Sequence, residues 1–304
     1  MEPIIQILAK ELDKSPEHVE NVVRLIDEGN TIPFIARYRK ELHGAMDDTA
    51  LRTLADRLQY LRNLDKRREE VKSAIEGQGK LTEELSAAID AAATLAEVED
   101  LYRPYRPKRR TRATVAREKG LEPLAQLLYA QEKDGPAPEE AAGDYVDAEK
   151  GVESVEDALQ GAGDNIAETI SDDADIRKGL RELVWRKGYL VSAAAAKERS
   201  DTVYRLYYDF KSPLNRAMGH QVLAINRGER EEILKVSVEM DRETALIPIR
   251  RAVLRPGAPA MAFVRAAAED AYDRLIFPSV EREMRNLLTE TADEGAIPTF
   301  ALPL

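Results

Sequence analysis

Apolar positions recur at helical spacing along nearly the whole chain. Ile4, Ile5, Leu8 and Leu12 fall on one face of the segment Glu2 to Leu12. Ser15 followed by Pro16 reads as an N-cap with proline at the first helical position. Val19, Val22, Val23 and Ile26 then form a stripe that Gly29 ends. Ile32 to Leu42 sets Phe34 and Ile35 beside Arg37, Arg39 and Lys40, and Gly44 closes it. Asp48 or Thr49 should cap a long helix reaching about Glu76. Leu51, Leu54, Leu58 and Leu61 keep the spacing of a coiled-coil seam there, and the charged run after Leu64 suggests a solvated far end. The bases of that run (Arg62, Lys66, Arg67, Arg68) alternate with Asp65, Glu69 and Glu70, which predicts local pairing.

Further helices are expected at Thr82 to Ala93, with Thr82 as its cap, at Ala96 to Tyr102, and again from Gly120 through Leu128. The run from Lys133 to Pro138 is the clearest linker signal. After it, Leu159, Ala162, Gly163, Ile166, Ala167 and Ile170 are spaced for close helix–helix approach. Asp172, Asp173 and Asp175 sit where one helix stops and the next starts, and Ile176, Leu180, Leu183 and Val184 continue as a stripe. Val203 to Phe210 fits a helix better than a strand. Leu234, Val236 and Val238 alternate as a strand does, with Ala245 to Ile249 as its expected partner. Pro259 to Phe277 and Val280 to Thr291 read as two closing helices. The fold class is therefore mainly α: a multi-helix bundle with at most one small β element.

Composition narrows the function classes. The 304 residues are 43% apolar and 33% charged, with formal net charge −11, which describes an ordered, charge-rich chain. Cysteine is absent, so disulfides, thiolate metal sites and thiol nucleophiles are excluded. The first residues lack a basic region ahead of an apolar run, and nothing resembles a membrane span; the expected location is the cytoplasm. The acid is concentrated. From Glu132 to Asp175 there are 15 acidic residues against two basic ones, so the rest of the chain is close to neutral.

Against that background the stretch Tyr102 to Leu124 stands out. Between Arg103 and Lys119 it holds eight Lys or Arg residues and one acid, Glu118. Pro104 and Pro107 bias their neighbours toward extended backbone, so the run should open as an exposed, semi-rigid loop. Arg103, Arg106, Lys108, Arg109, Arg110 and Arg112 can contact phosphates, which positions a nucleic acid without reading its bases. Arg37, Arg39 and Lys40 are further candidates for the same role. Tyr102 and Tyr105 could stack on unpaired bases or could anchor the loop; both readings stay open. The run could equally be a solvated surface or dock on an acidic segment of the same chain. Glu97, Glu99 and Asp100 are expected to give it salt-bridge support.

Signals for catalysis fail one by one. His18, His43 and His220 are too far apart for a local metal motif. The Gly77–Lys80 stretch lacks the first Gly and the Ser or Thr of a phosphate loop. Gly161-Ala162-Gly163 has Ile166 where a dinucleotide fingerprint needs its third Gly, and Asp173–Asp175 lacks the Gly and distal Glu of a calcium loop. No cofactor and no metal are expected, and the chain reads as a non-enzyme.

Five stretches carry a specific likeness: EGNTIPFIARYRKE, LRTLADRLQYLRNLDKRREEV, EDLYRPYRPKRRTRATVAREKGLEPLA, GHQVLAINRGERE and YDRLIFPSVEREMRNLLTETADEGAI. Spread from start to finish, they resemble the N-terminal part of the bacterial Tex family of transcription accessory proteins, which is related to a eukaryotic transcription elongation factor. The resemblance implies a helical core from residues 1–50 and 125–304 with an inserted helix-turn-helix-like subdomain at 51–124. It also implies that longer members continue into RNase-H-like, helix-hairpin-helix and OB-fold domains, the last carrying much of the RNA binding. The ending Phe300 to Leu304 departs from the usual continuation, so a truncated chain is expected. No catalytic residue is implied for this region. Two functions follow as expectations: nucleic-acid binding through the loop 103–119, or a protein-interaction module that organises the further domains or docks on the transcription machinery.

Overall fold

The computed structural model describes residues 2–195 and 203–294; the ending Phe300 to Leu304 lies outside them. The chain divides into two compact units, Met1–Glu99 and Asp100–Leu304. The subdomain expected at 51–124 straddles that division.

The first unit is helical. Its helices are α1 (Glu2–Leu12), α2 (Pro16–Asp27), α3 (Ile32–Tyr38), α4 (Asp48–Glu76) and α5 (Glu83–Ala91). Local chemistry sets their starts. Ser15, Asp47 and Thr82 each lend a side-chain oxygen to a backbone N–H three residues on, satisfying donors that the first turn leaves open. Helices α1, α2 and α3 pack on α4, whose Leu51, Leu54, Leu58, Leu61 and Leu64 are buried. The far end of α4 is not solvated as expected. Val71 and Ile75 are fully buried, and α5, with buried Ile89, packs on this helix. The steps from Leu64 to Val71 to Ile75 keep one helix face, while the charges between them occupy the others. Those charges largely pair locally: Arg67 meets Glu70 at 3.1 Å and Arg68 meets Asp65, whereas Arg62 reaches Asp27 on α2.

α6 (Leu95–Tyr102) runs across the division, and a 3₁₀ turn (Arg103–Tyr105) follows. The second unit then continues with α7 (Arg112–Glu118), α8 (Glu122–Ala130), α9 (Pro138–Gly143), α10 (Val155–Ser171) and α11 (Ala174–Lys187). At its centre lies α10, touching α7, α8, α9 and α14 (Met261–Asp270). Ala162 and Ala167, expected at close helix–helix approach, are fully buried, but the tightest approach is at Gly161, outside the expected set. A Cβ placed on Gly161 would lie 2.3 Å from Leu121 Cδ1 and 3.2 Å from Ala116 Cβ. Only a residue without a side chain lets α7 and the start of α8 settle this near.

Three sequence expectations are corrected here. Val203 to Phe210 is not a helix: Arg205–Tyr207 make a 3₁₀ turn and a strand, β2 (Asp209–Pro213), begins after it. Tyr204 and Tyr208 are buried beside this turn. The strand around Val236 exists as β3 (Leu234–Glu239), but its partner is not Ala245 to Ile249. That segment lies in α13 (Arg242–Val253), started by Asp241 accepting from Thr244 N, with Ala245, Leu246, Ile249 and Val253 inward at helical spacing. Both β2 and β3 pair antiparallel with β1 (Tyr189–Ala194), giving the order β2-β1-β3. Finally, the two closing helices are one continuous rod. A π turn at Ala271–Ile276 joins α14 to α15 (Phe277–Glu294), directly before Pro278, which has no N–H to continue a regular ladder. Helix α12 (Gly219–Arg230) packs along α15.

Candidate nucleic-acid interface

The basic run takes its shape from the end of α6, the 3₁₀ turn and α7. The segment from Arg106 to Thr111 is not helical, as its prolines require, and helix resumes when Thr111 caps Thr114 N at 3.1 Å. Because Gly161 brings α7 against α10, residues further along that same face of α10 meet the run. Glu168 follows Gly161 by two turns, and Asp172 follows Glu168 by four residues at the end of α10.

These two carboxylates organise the loop. Arg117 donates to Glu168, and Thr111 Oγ1 donates to it at 3.0 Å. Lys108 lies 3.6 Å from Glu168 and donates to Asp172, while Arg103 Nε donates to Asp172 at 3.1 Å. Burial alone would raise the Glu168 pKa. The bond from Arg117, the charge of Lys108 and the Thr111 hydroxyl outweigh it and hold the group below the usual carboxylate range. Arg110 pairs outside this cluster, with Glu118 at 2.9 Å on a largely exposed surface.

Arg103, Lys108, Arg110 and Arg117 of the run therefore have carboxylate partners. Arg109 and Arg112 are exposed, and among the described residues their side chains have neither an ion pair nor a hydrogen bond. Arg106 is also exposed, and it, Tyr102 and Tyr105 keep contacts of their own. Both tyrosines are half-buried.

Asp100, expected to support the loop, instead turns inward. It accepts from Arg177 Nε at 2.9 Å and from Arg181, and both arginines also donate to Glu283, at 2.7 and 2.9 Å. Arg177 is 1% exposed, so this is a buried ionic cluster. Glu99 meets Arg67 at 2.6 Å, and Glu97 accepts from Ala93 N. Sequence reasoning missed Glu168 as a partner of the run. Its signal was its position one helical face along from the small-residue stripe.

The remaining candidates lie in the first unit. Arg37 and Lys40 are exposed and Arg39 half-exposed, at the end of α3. Among the described residues none of the three has a carboxylate partner. Their neighbours are aromatic: the Arg39 guanidinium lies 5.5 Å from the Phe34 ring centroid and that of Arg37 6.0 Å from Tyr38.

Among the described residues no three His, Asp or Glu side chains gather to hold an ion. His43 is buried with neither ring nitrogen hydrogen-bonded, while His18 is half-buried and His220 exposed. No described helix is long and apolar enough to cross a membrane.

Comparison with known proteins covers nearly the whole chain. Residues 2–76 match the model of the Tex-like protein N-terminal domain, and residues 133–300 match the Tex central region. A Bacillus subtilis protein, YdcI, is 43% identical over 299 residues, which is 97% of this chain and 41% of the relative. The transcriptional accessory protein Tex of Neisseria gonorrhoeae is 37% identical over 98% of this chain and 40% of its own length. The human S1 RNA-binding domain-containing protein 1 is 31% identical, with 98% of this chain and 31% of that protein covered. The chain thus spans about two fifths of the length of its bacterial relatives. It belongs to the Tex family.

Proposed function

We propose that this chain is a non-enzymatic helical part of a Tex-like transcription accessory protein, working in the cytoplasm, and that it holds nucleic acid through the loop 103–119. The observation that carries the proposal is the division of labour within the basic run. Arg103, Lys108 and Arg117 are drawn onto Glu168 and Asp172 of α10, which fixes the backbone of the loop. Arg109 and Arg112 remain exposed on that fixed backbone, with no carboxylate of the described residues neutralising them. With the backbone already fixed, a phosphate that binds must order only the two side chains and not the loop as well. The names of two relatives, a transcriptional accessory protein and an S1 RNA-binding domain protein, agree with a nucleic-acid partner.

The contacts proposed are to phosphates, so they position RNA or DNA without selecting sequence. Titrating the chain with labelled single-stranded and double-stranded RNA and DNA at two salt concentrations tests the proposal. Binding that weakens steeply with salt supports it. Absence of salt-dependent binding to any of the four leaves the rival reading, a protein-interaction module that docks on the transcription machinery.

A further inference from the structure

Helix α3 presents an arrangement that the loop does not. Its inward residue, Ile35, is fully buried, while Phe34 and Tyr38, one turn apart, face outward. Phe34 is 37% exposed and Tyr38 56%. Their ring centroids lie 5.2 Å apart with planes tilted by 45°. With the guanidinium groups of Arg39 beside Phe34 and Arg37 beside Tyr38, four flat groups stand close together on an exposed surface. Lys40 adds a third positive charge.

We infer that this face of α3 is a stacking platform for single-stranded nucleic acid, with bases against Phe34 and Tyr38 and phosphates against Arg37, Arg39 and Lys40. The inference rests on the reading of the chain as a nucleic-acid binder and names the form of ligand at a second place. Its argument is one of chemical fit. Two adjacent aromatic rings left in water give up burial that the same side chains would gain on the Ile35 side, so a partner that covers them recovers it. That partner must also be anionic, because the cations beside the rings have no carboxylate partner among the described residues, and Glu41, next to Lys40 in sequence, pairs with none of them. A duplex meets the charge requirement but keeps its base faces stacked inside. An unpaired strand offers both phosphate and open π faces, the combination that stacking platforms use.

The test uses the full chain and an oligonucleotide of about 12 residues carrying one 2-aminopurine, single-stranded or annealed to its complement. The single strand should bind more tightly than the duplex, with quenching of the 2-aminopurine as it stacks. Tyr38→Leu and Phe34→Leu should each weaken single-strand binding about tenfold and reduce the quenching, whereas Tyr38→Phe, which keeps the ring, should restore both. Thermal melting of each variant controls for folding. Equal binding and quenching by Tyr38→Leu and wild type would overturn the inference, as would equal affinity for the duplex. The Arg109→Ala/Arg112→Ala variant separates the two readings. If it alone loses affinity while the α3 variants bind normally, the platform fails and the loop stands. If the reverse holds, the loop fails and the platform stands; a chain that binds neither strand form sinks both.

Discussion

Arg117 of α7 donates to Glu168 of α10 across 51 residues of sequence, at the place where Gly161 lets the two helices close. The contact converts a run of like charges into an ordered element, because it and its neighbours neutralise some of those charges internally.

Replacing Glu168 by Gln should therefore loosen the loop. The carboxylate is mostly buried and partnered by Arg117, Lys108 and Thr111. Losing its charge should cost about 1–2 kcal/mol, or roughly 2–6 °C of melting temperature. Because the folded pKa of Glu168 is depressed, its contribution is complete above the ordinary Glu range and is lost as pH falls through the lowered value. Melting curves of wild type and Glu168→Gln should differ at neutral pH and converge in acid. A constant gap from pH 7 to 3 would show that the carboxylate charge is not what stabilises the contact.

A side chain at Gly161 should act on the same contact from the packing side. Gly161→Val would push its Cβ onto Leu121, where the separation would be 2.3 Å without movement. Overpacking of this kind costs about 1–3 kcal/mol. Denaturant unfolding should show the loss, and limited proteolysis should cut more readily near Arg109. Gly163→Val, which faces Phe263 at an ordinary 3.7 Å, should be milder.

The buried cluster should be more sensitive than either. Asp100→Ala leaves Arg177 and Arg181 with one carboxylate, Glu283, between them. Removing one member of such a set costs about 3–5 kcal/mol. Arg177→Met should cost less than Asp100→Ala, since it leaves Arg181 to serve both carboxylates. Reversal of that order in chemical denaturation would mean that the packing of the Arg177 stem, not the charge balance, dominates.

The chain disclosed its local features more readily than its long-range ones. Caps at Ser15 and Thr82, the leucine seam of α4 and the buried Ala162 and Ala167 of α10 are each written within a turn or two of helix, so spacing alone finds them, whereas the close approach at Gly161 is not found that way. Strand β1 was not legible. It is short, starts directly after α11, and becomes a strand through pairing with β2 and β3 on both sides. The helix at Ala245 to Ile249 was obscured by Pro248, which sits inside it. At the candidate interface, the density of Arg and Lys is visible in sequence, but which of them are compensated is not. For Lys108 and Arg117 that depends on carboxylates more than 50 residues away, and for Arg110 on Glu118, eight residues on; together these divide Lys108 and Arg110 from Arg109 and Arg112, their neighbours along the chain.

The central claim is that the uncompensated cations, and not the compensated ones, meet the phosphates. The measurement that tests it most directly is the slope of log affinity against log salt for single-stranded RNA, compared between wild type and Arg109→Ala/Arg112→Ala. With two phosphate contacts removed, the slope should flatten by about one and a half units, and the melting temperature should stay within about 1 °C, because neither side chain pairs with the described residues. An unchanged slope, or a large loss of stability in its place, would contradict the account.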